Sequence, residues 1–135
     1  MLLPALAGKA VTLELQGLSA SVVTQFGFDA ALVLAWLADV RARGIGLPAR
    51  VGVPGPAGVR RLLAYASRCG VAMSAPIARK YGFSLTDLAG SAAPDQFIHA
   101  LASGYDRRLH GEVKLHFNAF GGFAATAEWI SRFRG

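Results

Sequence analysis

Thr24-Gln25-Phe26-Gly27-Phe28-Asp29 decides how this chain is read, because an apolar run stops there at a polar pair, two aromatics follow, and a carboxylate stands where a helix can begin. Just ahead of it, Ser19, Ala20, Ser21, Val22 and Val23 are small or β-branched. Such a run suits a parallel strand covered on both faces, which need not alternate. Asp29 offers an N-cap carboxylate to the amides of the next helix. Thr24 and Gln25 then fall at the carboxyl end of a parallel strand, the end where α/β folds place their ligands. Gln25 is open to two readings. Its acceptor oxygen and two donor protons suit two-point pairing with a cyclic amide or amino-heterocycle, and the same groups suit a glutamine that ties down its own loop.

Working outward, Leu32, Val33, Trp36, Leu37 and Val40 recur at intervals of three and four, which predicts a helix with one apolar stripe, ended by Gly44. Residues 49–53 read as the next strand, and Pro54, Gly55, Pro56 and Gly58 as a tight loop. Val59, Leu62, Leu63, Ala66 and Cys69 form the stripe of a helix that stops at Gly70. A short helical turn is expected over 74–83. A longer helix starting at 91–94 and carrying Phe97, Ile98, Leu101 and Tyr105 should end before Gly111. Val113, Leu115 and Phe117 alternate with Lys114 and His116 in a third strand, and Gly121 and Gly122 open a last helix with Ala125, Trp129 and Phe133 on its apolar side. Upstream, residues 2–16 show Leu3, Leu6, Ala10 and Leu13 at helical spacing, with Val11 at the margin, and Gly17 supplies a left-handed stop.

At 135 residues the chain is sized for a single domain with a real core, and an apolar share of 53% against 16% charged excludes disorder. Arg, Gly and Pro interrupt every apolar run, which argues against a membrane span, and Pro4 breaks Leu2 and Leu3 before a signal peptide can form. The lone Cys69 has no partner for an internal disulfide and reads as a buried thiol of a reducing, cytoplasmic compartment. A net charge of +6 raises nucleic acid or an anionic ligand as partner. Yet Arg41, Arg43, Arg68, Arg107, Arg108, Arg132 and Arg134 all fall near helix ends read as C-terminal, where cations complement the dipole, and no aromatics interleave with them. The expectation is therefore no nucleic acid. His99, His110 and His116 show no metal-ligand spacing.

Three stretches carry a resemblance to one family. TQFGFDA at 24–30 resembles the TQFFFD signature of the methylenetetrahydrofolate reductases, flavoenzymes of one-carbon metabolism built on a (β/α)8 barrel. ARVGVPGPAGVRRLLAYASRCGV at 49–71 resembles that family's next strand and Gly/Pro loop, and VKLHFNAFGG at 113–122 resembles its last strand, usually HFYTLNR. The matches follow the family's order and span nearly the whole chain, but only the second half of the family's barrel.

The resemblance implies an α/β fold, a partial (β/α)8 TIM barrel of about three parallel strands with flanking helices, residues 1–135 forming one domain. It implies hydride transfer from NAD(P)H to FAD and on to methylenetetrahydrofolate, giving methyltetrahydrofolate. Gln25 would hold the pterin, Phe26, Phe28 and Tyr65 would form an aromatic wall, and His116 and Asn118 would be polar contacts. Tyr65 reads equally as an ordinary half-buried residue, and His116 as a core histidine bonded to backbone. Lys9 falls on the helix that holds the flavin's phosphate region in the family, against the plainer reading of a solvent-facing lysine. The family's acidic catalytic residues and most of its flavin contacts lie outside the resemblance, and the Leu, Asn and Arg after HFYT become Phe120, Gly121 and Gly122. The resemblance thus implies a folate-binding half completed by a flavin-binding half or by a second copy. A non-catalytic folate-binding module and a basic nucleic-acid-binding protein stand as alternatives. Three parallel strands of apolar residues, exposed on every face, would not make a stable monomer alone.

Overall fold

The computed structural model describes residues 3–135. Asp29 caps as its position predicts: its Oδ1 accepts from the backbone N–H of Ala31 at 3.0 Å and of Leu32 at 3.4 Å, and helix α2 runs Ala30–Ala42. The strand before it is shorter than expected. β1 is Val22–Val23, β2 is Ala49–Pro54 and β5 is Val113–Asn118. They form one parallel sheet in the order β1-β2-β5, with Val22 opposite Ala49 and the longer pairing running from Ala49 opposite Val113 to Pro54 opposite Asn118.

This sheet corrects the expectation of strands apolar and covered on every side. Val51 and Val53 are fully buried and share a face with Ala49, Val113, Leu115 and Phe117. The other face is closed at Gly52, where the chain from Thr24 to Phe26 crosses it, and at buried Pro54, and elsewhere carries Arg50, Lys114 and His116, all exposed, beside Val23 at 53% exposure. The physical reason is that helices lie on one side. α2 rests against α5, Asp95–Gly104, and in α7, Phe123–Arg134, the Trp129 ring lies 5.8 Å from Phe117 while its Nε1 donates to Asp95 at 3.2 Å.

Between β2 and β5 the chain departs from the sequence expectations. Ala57–Gly58, expected as loop, is β3, paired antiparallel with β4, Ser91–Ala92, which was expected to open a helix. Helix α3, Val59–Arg68, follows β3, and its Arg61 donates to the Phe120 carbonyl at 3.2 Å while Tyr65 stacks on the Phe120 ring. Helix α4, Ala75–Tyr81, starts on a Ser74 cap at 3.4 Å and stops at Gly82, whose φ is +113°. Tyr81 reaches the Pro54 carbonyl at 3.4 Å. α3 and α4 thus make these contacts with residues at and just beyond the carboxyl ends of β2 and β5. Cys69, expected inside, is exposed because α3 has already ended at Arg68.

Arg107 and Arg108 open a helix instead of closing one. α5 stops at Gly104, Tyr105 is extended, and Asp106 caps a four-residue helix α6, Arg107–His110, accepting from the Arg108 N–H at 2.8 Å while its own N–H donates to His110 Nδ1 at 2.9 Å. At the other end of the chain, α1, Leu3–Leu15, lays Leu6, Ala7 and Ala10 against Trp36, Val40, Ile45 and Leu47. Val11 and Leu15 face outward at 56% and 83% exposure, so Val11 leaves the predicted stripe. The start expected at Leu2 lies outside the described residues.

The amino ends of β2 and β5 are tied by Arg41. Its guanidinium donates to the carbonyls of His110 at 2.8 Å, Ile45 at 3.0 Å, Glu112 at 3.2 Å and Leu47. Partial burial lowers its pKa from the ordinary arginine value, opposed by the nearby Tyr105 and Glu112, and the planar fork of donors is matched by carbonyl acceptors alone. Gly111 has a φ of +71°, and a Cβ there would stand 2.5 Å from Arg41 Nε.

Three outcomes follow for stability. An Arg41→Met protein should lose about 2 to 4 kcal/mol in urea unfolding, since one change orphans several carbonyls, and Arg41→Lys should recover less than half. Gly52→Ala should cost about 1 to 3 kcal/mol, because its Cβ would stand 2.7 Å from Phe26 N and 2.8 Å from Thr24 O, whereas Gly46→Ala, with open space around it, should be neutral. The Tyr81 phenol is pushed well above its ordinary range by burial and then by Asp95. A pKa raised in the folded state keeps its stabilisation below the unfolded value of about 10 and loses it as pH rises beyond that. The urea midpoint should therefore fall between about pH 8 and pH 11 in the wild type and fall less in Tyr81→Phe.

Candidate functional site

The carboxyl end of β1 turns sharply. Thr24 N–H donates to the Arg50 carbonyl at 2.9 Å, and Thr24 Oγ1 accepts from the Gly52 N–H at 2.9 Å, so a side chain continues the ladder after the strand has ended. The backbone from Thr24 to Phe26 passes so close to Gly52 that no side chain fits between them. This close approach fixes Gln25 on the outside of the turn and drives Phe26 inward.

A cleft of about 610 Å³ opens beside this turn. Its walls are Leu6 and Lys9 of α1, Val23 and Gln25, Leu32, Val33 and Trp36 of α2, and Val71, Ala72 and Ile77 from between and within α3 and α4. Most of the lining is apolar, and Leu32 is 63% exposed, so the cleft has a greasy mouth with few polar groups. Those groups are Lys9, Thr24, Gln25 and Asp29. Thr24 is engaged with Gly52, and Asp29 with the first amides of α2. Gln25 is exposed; its Oε1 accepts from the Phe26 N–H at 3.2 Å, and its amide protons reach no described residue. Lys9 is exposed and makes no ion pair with a described residue.

Of the residues singled out from sequence, Lys9, Gln25, Phe26 and Phe28 border this cleft, while Tyr65, His116 and Asn118 do not. Phe26 and Phe28 are each only 3% exposed, and their rings are core: Phe26 stands edge-on to Phe28 at 5.9 Å and to Phe120 at 4.8 Å, and Phe28 edge-on to Tyr81 at 5.0 Å. Tyr65 is half-buried and stacks on Phe120 at 4.2 Å with an interplanar angle of 15°, the Arg68 guanidinium lying 5.3 Å from its ring. The aromatic residues therefore gather as one cluster under α3. His116 is exposed on the uncovered sheet face, which removes the core-histidine reading. Asn118 is half-buried at the end of β5, its backbone carbonyl accepting from Gly55 at 2.8 Å and Phe120 at 2.9 Å.

The turn after β5 explains the departure at Phe120, Gly121 and Gly122. Phe120 is a packed ring, a Cβ on Gly121 would collide with the Pro56 carbonyl, and Gly122 has a φ of +102°, so a long polar side chain at 121 or 122 would be strained. Sequence reasoning missed Trp36 as a cleft wall, although Leu32 and Trp36 mark one edge of the apolar stripe of α2. It also gave Thr24 no role, because nothing in spacing signals a hydroxyl that replaces a ladder bond. Among the described residues, no three His, Cys, Asp or Glu side chains gather as a metal would need, and no helix is long and apolar enough to cross a membrane. No protein-family model matches the chain.

Proposed function

We propose that this chain is the folate-binding half of a (β/α)8-barrel flavin-dependent oxidoreductase similar to the methylenetetrahydrofolate reductases, binding the pterin while a complementary half supplies FAD and the nicotinamide site. The observation that carries the reading is Gln25, held at the carboxyl end of β1 on the wall of an apolar cleft with its amide protons unspent. A pterin presents neighbouring donors and acceptors on a flat ring, and a carboxamide beside apolar walls suits that edge and face together. The strand order supports the barrel part of the reading, since β1, β2 and β5 follow in sequence, α2 packs against α5, and Trp129 of α7 packs on Phe117 of the buried face. A doubly wound sheet would reverse order and place helices on both faces.

The residues present do not fit FAD by themselves. A pyrophosphate calls for several cations or open helix amides, whereas this cleft offers Lys9 alone and Asp29 occupies the first amides of α2. In this reading flavin and NAD(P)H belong to the complementary half. The share of this chain is to seat the pterin on Gln25 and exclude water with Leu32, Val33 and Trp36. The reading places it in the cytoplasm, where an exposed thiol such as Cys69 stays reduced. A non-catalytic pterin-binding module is the second reading, favoured by the turn after β5, where the room and backbone at 121 and 122 suit glycine and hold no arginine.

Titration with a tetrahydrofolate derivative should quench Trp36 fluorescence, and Trp36→Phe should remove that signal. Gln25→Ala should weaken binding by about 1 to 3 kcal/mol, roughly tenfold, and Gln25→Glu, which keeps the acceptor and loses the donors, should weaken it differently among pterin analogues. Equal affinity in wild type and a well-folded Gln25→Ala would overturn the assignment of Gln25. With a flavin-bearing half added, binding without turnover would select the non-catalytic module.

A further inference from the structure

The outer edge of β5 and the open face of the sheet carry observations that the pterin cleft does not use. β5 is six residues long, about 20 Å of strand, and contains neither proline nor glycine. It pairs only with β2 among the described residues, so every second N–H and C=O on its far side points away from the sheet. Natural edge strands are usually shortened, bulged or covered to prevent pairing with another chain, and β5 shows only a single lysine as a guard. Parallel sheets are, moreover, normally covered on both faces.

The charge on the open face says what kind of chain would cover it. Arg50 and Lys114 stand side by side in register, with His116 next along β5 opposite Gly52. Neighbouring strands lie about 4.8 Å apart, so these are like charges on adjacent strands of one face. Glu112, ahead of the strand, places its carboxylate 3.9 Å from Lys114 Nζ with both side chains about half exposed. Arg50 makes no ion pair with a described residue. A second copy of this chain would bring the same cations to the same edge, which like-charge pairing across strands disfavours.

We infer that β5 receives a strand from a second, different protein chain whose side chains on the open face are carboxylates, meeting Lys114, Arg50 and His116, and whose other face is apolar. This rests on the half-barrel part of the proposed function and not on its ligand. Backbone pairing supplies the adhesion, and the carboxylates supply the choice of partner and register.

The test is an amide NMR titration of the full chain at low salt with three probes: a short peptide alternating Val and Glu, its Val and Lys counterpart, and a short oligothymidylate. The Glu peptide should shift the amides of Val113 to Asn118 and bind about fivefold more tightly than the Lys peptide. Lys114→Glu, and independently Arg50→Glu, should reverse that order. Equal binding of the two peptides, shifts that avoid β5, or stronger shifts at β5 from the oligothymidylate would overturn the inference. The pterin titration reads Trp36 on the far side of β1, so failure of either proposal is visible apart from the other.

Discussion

The hydrogen bond from the Gly52 amide to the Thr24 hydroxyl is the contact on which the arrangement turns. It works only because residue 52 has no side chain, which lets the backbone of Thr24 to Phe26 pass over β2. That one crossing extends the ladder of a two-residue strand, sets Gln25 outward on the cleft wall and buries Phe26 against Phe28 and Phe120. The capping of α2 by Asp29 follows a few residues on, so the position of buried Ala30, Leu37 and Val40 also depends on it.

Much of this was legible in the sequence, and the parts that were not have identifiable causes. Gly17, Gly44 and Gly70 do adopt the left-handed conformation that their place after apolar stripes predicts. The alternation of Val113, Leu115 and Phe117 with Lys114 and His116 gave the third strand and its two faces correctly. Residues 19–21, Ser19, Ala20 and Ser21, misled because small side chains fit a buried strand and an extended approach equally, and only the partner strand decides where pairing starts. The β3 and β4 pairing was invisible because two-residue strands leave no period to detect. The break at Tyr105 and Asp106 was hidden by Leu101 and Tyr105 continuing the helical spacing, while the competing cap at Asp106 depends on His110 reaching back to its amide. For the candidate site, Gln25 was readable from its place at a strand end. Tyr65, His116 and Asn118 came through resemblance, and they lie apart from the cleft because it opens beside β1, α1 and α2 while they belong to α3 and β5.

The two ends of the sheet are built by different physics. At the amino end, Arg41 spends its donors on carbonyls from either side of the sheet, which is the behaviour expected of a face that holds the strands together. At the carboxyl end, the amide protons of Gln25 stay unspent while aromatic rings fill the space behind it. Rigidity and openness are thus separated along the strands, and a substitution at one end need not disturb the other.

The pairing of β2 with β5 joins Ala49 to Val113 across α3, α4, β3, β4, α5 and α6. On the ribosome, β2 with its buried Val51 and Val53 must therefore wait for the last part of the chain, since β1 offers it only two residues. Contacts this distant in sequence form slowly and leave a hydrophobic strand exposed during synthesis. The nascent chain thus passes through a stage in which α2 and α5 can dock while the sheet is unfinished, and its yield in a cell will be governed by how long that stage lasts.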